Sequence, residues 1–129
     1  MQKLLREYGH KVTPARLAVL NIFARSKSPL AAEDVQKKLQ LDLVTVYRTL
    51  AVFEKSGILI RVNLGKDSAH YELARNHHHH IVCTNCDRVE DFRNEKVEKI
   101  LASIVRRSSK FIKIREHSLE LFGLCSNCV

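Results

Sequence analysis

The chain has 129 residues, enough for one compact domain or two small lobes, and 45% of them are hydrophobic, enough to fill a core. Its formal charge of +8 points toward an anionic partner, nucleic acid before others. No apolar run approaches the roughly 18 residues of a membrane span, and Met1-Gln2-Lys3-Leu4-Leu5-Arg6 lacks a secretory apolar stretch. These features predict a cytoplasmic protein with no membrane partner. The basic surplus is uneven. Residues 1–74 carry 12 Lys and Arg against 7 Asp and Glu, and the remainder carries 10 against 7.

Thr13-Pro14 reads as a helix start, with Thr as N-cap and Pro at the first helical position. Leu17, Leu20 and Ala24 follow at helical spacing, and Val19, Ile22 and Phe23 widen the stripe. A short helix fits Ala32–Leu39, with Glu33 and Asp34 suited to its positive end. A third fits Val44–Ser56, burying Val46, Leu50 and Phe53 and ending at Gly57. Ile58–Leu64 and Ala69–Leu73 read as a hairpin turning near Gly65-Lys66-Asp67-Ser68. Three helices followed by a two-stranded ribbon is the order of a winged helix-turn-helix. With Val46 and Leu50 inward, Thr45, Arg48 and Thr49 lie on the open face of the third helix and Tyr47 near its edge. A guanidinium reads guanine or clamps phosphate, and a tyrosine contacts a thymine methyl or a phosphate. Lys11 precedes the first long helix and is within reach of the minor groove or backbone. An ordinary solvated helix face is the alternative.

The pattern restarts near Ala74–Asn76, so the domains are read as residues 1–75 and 76–129. His80-Ile81-Val82 and Arg88–Phe92 read as short strands around Cys83-Thr84-Asn85-Cys86. Val97, Ile100, Leu101, Ile104 and Val105 mark an amphipathic helix. Phe111–Phe122 reads as one long strand that ends at Gly123 and a second hook, Cys125-Ser126-Asn127-Cys128. Its apolar parity shifts midway, which a bulge or burial of both faces would produce. Burial between the helix and a partner subunit is the preferred reading.

These four cysteines are the only ones, in two C-x-x-C hooks with 38 residues between them. In a reducing compartment such hooks read as ligands, and four thiolates close a tetrahedral shell around Zn²⁺ with no open position. A redox dithiol and an iron–sulfur cluster are the alternatives. The run His77-His78-His79-His80 would direct alternate imidazoles to opposite faces of a strand. Glu72 offers a carboxylate to His78 and His80. On the other face Glu98 and His117 are partners for His77 and His79, with Asp91 nearby in sequence. Imidazole and carboxylate ligands suit Fe²⁺, Zn²⁺, Mn²⁺ or Ni²⁺.

These residues resemble the ferric uptake regulator family of metal-dependent bacterial transcription factors. The likeness runs through Gly9-His10-Lys11-Val12-Thr13-Pro14-Ala15-Arg16, Thr45-Val46-Tyr47-Arg48-Thr49-Leu50 and Tyr71-Glu72-Leu73. It continues through the histidine run with Cys83 and Cys86, His117-Ser118-Leu119, and Gly123-Leu124-Cys125 with Cys128. The resemblance implies an α+β protein: an N-terminal winged helix-turn-helix DNA-binding domain and a small α/β dimerisation domain with a structural zinc held by four cysteines. It implies a homodimeric, metal-responsive repressor of palindromic operator DNA, concerned with iron or zinc, and not an enzyme. By motif position, Cys83, Cys86, Cys125 and Cys128 match the structural zinc ligands, and Glu72, His78 and His80 the sensing site. His77, His79, Asp91, Glu98 and His117 match a further site, and Lys11, Thr45, Tyr47 and Arg48 the DNA contacts. Pro29 stands where iron and peroxide sensors of the family carry a sensing-site histidine. A constitutive DNA-binding protein with purely structural metal, and a zinc-dependent enzyme, are the competing readings. No H-E-x-x-H or H-x-E…P-C-x-x-C pattern supports the enzyme.

Overall fold

A computed structural model describes residues 1–129, which divide into two compact units, Met1–Arg75 and Asn76–Val129. The first unit runs α1 (Gln2–Glu7), α2 (Pro14–Arg25), β1 (Leu30–Ala31), α3 (Ala32–Lys38), α4 (Leu43–Ser56), β2 (Leu59–Val62) and β3 (His70–Leu73). Thr13 caps α2 by accepting from the Arg16 amide at 3.3 Å, and Pro14 opens the helix without leaving a stranded donor. Asp42 caps α4 by accepting from the Thr45 amide at 2.8 Å, one residue earlier than the apolar stripe alone indicates. Gly57 ends α4 in the left-handed region at φ 85°, where a side chain would be strained.

The core of this unit gathers Val19, Leu20 and Phe23 of α2, Val35 of α3, and Val46, Leu50 and Phe53 of α4. Ile58, Leu59 and Tyr71 close it from the sheet side. Two elements here escape the sequence pattern. Helix α1 precedes the expected first helix and places Leu5 in the core with no exposed surface. Strand β1, only two residues long, pairs with β3, so the expected two-stranded ribbon is a three-stranded sheet in the order β1-β3-β2. Leu5→Ala should therefore cost about 2–5 kcal/mol, the range for emptying a buried leucine site, read as a lower urea midpoint for this unit.

The wing is tied to α4 by a fork. Arg61 of β2 donates from Nε and one terminal nitrogen to the two carboxylate oxygens of Glu54, at 3.1 and 3.2 Å. The same nitrogen reaches the Tyr71 hydroxyl of β3 at 3.3 Å, and the guanidinium lies 5.6 Å from the Tyr71 ring centre.

The second unit runs β4 (His79–Cys83), β5 (Val89–Phe92), α5 (Glu95–Arg107) and β6 (Glu120–Gly123), with sheet order β5-β4-β6. β4 pairs antiparallel with β5 and parallel with β6, the parallel step following the α5 crossover. Asn94 caps α5 by accepting from the Lys96 and Val97 amides. The long strand expected over Phe111–Phe122 is not formed. Only Glu120–Gly123 pairs, because β4 offers it a four-residue register from His80 to Cys83. The preceding residues lie beyond that ladder. Phe111 is 68% exposed and Ile112 98% exposed in the single chain, and with no ladder there a bulge does not account for the parity change. No helix of the chain is long and apolar enough to cross a membrane.

Candidate metal centres and nucleic-acid interface

The two hooks of the second unit meet through the sheet. The amide and hydroxyl of Thr84 both donate to the Gly123 carbonyl, at 2.8 and 3.2 Å, which fixes one hook beside the other. A tight turn places Asp87 at φ 63° with its amide on the Cys83 carbonyl at 3.0 Å, and the Cys128 amide donates to the Cys125 carbonyl at 2.9 Å. The four sulfurs lie within 4.8 Å of one another, with 3.7 Å between those of Cys86 and Cys125. A tetrahedral shell with Zn–S bonds of about 2.3 Å requires sulfur separations of about 3.8 Å, so this set fits Zn²⁺. Backbone amides of Cys86, Cys125 and Asn85 converge on Cys83 and lower its thiol to about 6, which makes it a thiolate at neutral pH. Cys128 goes the other way. An Asn85 hydrogen bond pulls it down, but contacts with Cys125, Cys86 and Cys83, together with burial, push it up to about 11. A ready thiolate at Cys83 beside a reluctant thiol at Cys128 is the arrangement that a dication resolves by taking the proton's place.

The second cluster is centred on Glu98, in the first turn of α5. Its Oε1 lies 2.5 Å from His79 Nε2 and 3.4 Å from His77 Nε2, and its Oε2 lies 3.2 Å from His117 Nε2. All four ligand atoms fall within 4.8 Å of one another. The His79 hydrogen bond, aided by the charge of all three imidazoles, holds the Glu98 carboxyl below its usual range. Burial keeps His77 below the ordinary histidine value, which favours the neutral, ligating ring. Three imidazoles and a carboxylate are donors that Zn²⁺, Fe²⁺ or Mn²⁺ accepts.

Asp91 is not part of that group. His79 is opposite Phe92 in the β4–β5 register, and His80 is opposite Asp91. Cross-strand partners share a face, so Asp91 belongs with His80, whose Nε2 lies 3.7 Å from its Oδ1. His78 joins them, its ring centre 4.9 Å from that of His80. In the first unit Glu72 sits on β3 opposite Ile60 of β2, only 6% exposed, with Arg75 3.7 Å from its Oε2. Pro29 is buried just ahead of β1 and brings no donor atom.

On the winged unit, α4 presents Tyr47, 47% exposed, and Arg48, also exposed, whereas Thr49, expected on the open face, is buried and donates its hydroxyl to the Thr45 carbonyl at 2.8 Å. The Thr45 hydroxyl donates to Asp42 Oδ2 at 2.6 Å, so its methyl and lone pairs are what it offers a partner. Lys11 is exposed ahead of α2, and its carbonyl accepts from Arg16 at 3.2 Å. Sequence reasoning missed Asp42 and Glu33. The first had a visible signal, an aspartate three residues before Thr45. The second did not, because Glu33 meets Tyr47 across 14 residues of chain.

Residues 7–122 match the Ferric uptake regulator family. The ferric uptake regulation protein of Neisseria gonorrhoeae is 37% identical over 131 residues, spanning 96% of this chain and 90% of that protein. The crystal structure of the Vibrio cholerae ferric uptake regulator, described as showing rearrangement of its DNA-binding domains, superposes with a TM-score of 0.84. It is 31% identical and covers 96% of this chain and 98% of its own. The Pseudomonas aeruginosa ferric uptake regulator with manganese gives 0.79, with 32% identity and 97% of each chain covered. A winged-helix unit with an exposed Tyr-Arg helix, a four-sulfur cluster and full-length likeness together place this chain in the ferric uptake regulator family.

Proposed function

We propose that the protein is a metal-responsive, DNA-binding transcriptional repressor of metal homeostasis that works as a cytoplasmic homodimer on double-stranded operator DNA. The observation that carries this is the pairing, in one chain, of an exposed Tyr47-Arg48 helix with two converged sets of metal-type donors. Cys83, Cys86, Cys125 and Cys128 would hold structural Zn²⁺. Glu72, His78 and His80, with Asp91, would hold the sensed ion, and His77, His79, Glu98 and His117 a further one. Relatives are named for ferric uptake and one structure is of a regulator with manganese, which supports Fe²⁺ and Mn²⁺ among the sensed candidates Fe²⁺, Zn²⁺, Mn²⁺ and Ni²⁺. Binding rather than catalysis fits the named regulators among its relatives and the closed four-thiolate shell.

The dimer reading draws on surface chemistry. Helix α5 buries none of its residues. Ile100 and Ile104 are 61% and 58% exposed, and Leu121, Phe122 and Leu124 are exposed nearby in the chain. An apolar inventory of that kind in so small a unit calls for a partner surface, and a second copy supplies a self-complementary one. Thr45, Tyr47 and Arg48 of each protomer would then meet successive major grooves, and Lys11 the minor groove or backbone beside them. The sensed ion acts by binding the DNA-competent arrangement better than its alternatives.

The test is anisotropy on a duplex recovered by selection from random sequence with metal-loaded protein. Chelating the exchangeable metal should weaken binding at least tenfold, about 1.4 kcal/mol of population shift, while zinc in the cysteine cluster stays bound. His78→Ala should remove the response without removing that zinc. Pro29 favours the competing constitutive reading, and equal affinity with and without chelator would establish it. Titrations with Fe²⁺, Zn²⁺, Mn²⁺ and Ni²⁺ would identify the sensed ion.

A further inference from the structure

We infer that Glu33 is a positioning residue for DNA recognition: its carboxylate holds the Tyr47 ring in place on α4. The inference rests on α4 being the DNA-facing helix. Glu33 lies in the first turn of α3, and α3 packs against α4. The Tyr47 hydroxyl donates to Glu33 Oε1 at 2.7 Å, a short bond to a charged acceptor. Each partner reinforces the other. The Tyr47 bond, with the Glu33 backbone amide, keeps the Glu33 carboxyl below its usual range. The same bond holds the Tyr47 phenol above the usual tyrosine value, so the proton stays on the ring and remains donated.

Two consequences follow for recognition. A phenol has one hydrogen to donate, and phosphate oxygens only accept. With that hydrogen committed to Glu33, Tyr47 meets DNA through its ring carbons and oxygen lone pairs, not as a phosphate donor. Ring contacts depend on placement, and an exposed side chain held at its far end loses less rotamer freedom on binding. No metal-binding group takes part, and the unit's fold does not depend on the bond, since both side chains are exposed.

The experiment compares Glu33→Ala, Glu33→Gln, Tyr47→Phe and the Glu33→Ala/Tyr47→Phe pair in the full-length metal-loaded dimer, on the selected duplex and on a scrambled one. Glu33→Ala should lower affinity for the selected duplex about threefold to tenfold, the scale of one hydrogen bond. Glu33→Gln, which keeps an acceptor, should stay within about twofold of the parent by the same reasoning. In the Tyr47→Phe background Glu33→Ala should have no further effect, because coupled residues are non-additive. A second arm needs no DNA. In ¹³C-tyrosine spectra the Tyr47 ring should titrate above the usual tyrosine value, and Glu33→Ala should bring it down. Equal loss in both backgrounds, Glu33→Gln as damaging as Glu33→Ala, or an unmoved Tyr47 titration would overturn the inference. If Tyr47→Phe and Arg48→Ala both leave DNA binding intact, the DNA-facing reading of α4 fails instead, and the spectra still decide whether Glu33 holds the ring.

Discussion

Replacing Cys83 with serine is expected to unfold residues 76–129 and abolish self-association while leaving the winged unit folded. The reason is the thinness of what else holds that unit. Its buried side chains are His79, His80, Val82 and Cys83. Its helix hides no residue, and its third strand is a four-residue edge. A unit this small requires a staple, and zinc bound to thiolates contributes directly to folding. Cys83 is the pivotal member, because three backbone amides already stabilise its thiolate and the Cys125 amide reaches its sulfur at 3.4 Å. Sedimentation should show monomer, and hydrogen exchange should lose protection across β4, β5 and β6 with α2 and α4 unchanged. Strong chelation of the parent protein should reproduce both results. A Cys83→Ser protein that stays dimeric with unaltered thermal unfolding would refute the structural-zinc assignment.

Arg48→Ala is the second large effect: an expected loss of about tenfold to a hundredfold in affinity for the selected duplex, with fold, zinc content and dimer retained. Arg48 is exposed on α4 and contributes nothing to the core, so truncation spares stability. The salt dependence separates its two candidate partners. If the guanidinium grips phosphate, the slope of log affinity against log salt should fall by about one per protomer. If it reads a guanine edge, the slope holds and discrimination relaxes at one base pair. Anisotropy titrations over a salt series make the distinction, and unchanged affinity would remove Arg48 from the interface.

What was legible in the sequence is local chemistry. Thr13-Pro14 and Gly57 announce helix ends through capping and left-handed geometry, and the period of Val46, Leu50 and Phe53 announces a buried stripe. Alternation along a strand sorts His77 and His79 from His78 and His80. Pairing information was not legible. Asp91 changes clusters because the β4–β5 register, which no single segment encodes, puts it opposite His80. β1 is too short to show a period, and α1 carries only Leu4 and Leu5 as apolar residues beyond Met1. Phe111–Phe122 has strand-like composition, but composition supplies no hydrogen-bond partner, and only its last residues find one. The hold of Glu33 on Tyr47 is invisible for the same reason: helix packing, not sequence distance, creates it.

The Arg61 fork onto Glu54 and Tyr71 has a mechanical consequence. Three consecutive elements, α4, β2 and β3, share one guanidinium, so a tug on either wing strand is transmitted to the end of α4 rather than absorbed at the turn. The winged unit should accordingly open in a single cooperative event, with amides of β2, β3 and the last turn of α4 exchanging together. Arg61→Ala would let the wing breathe on its own.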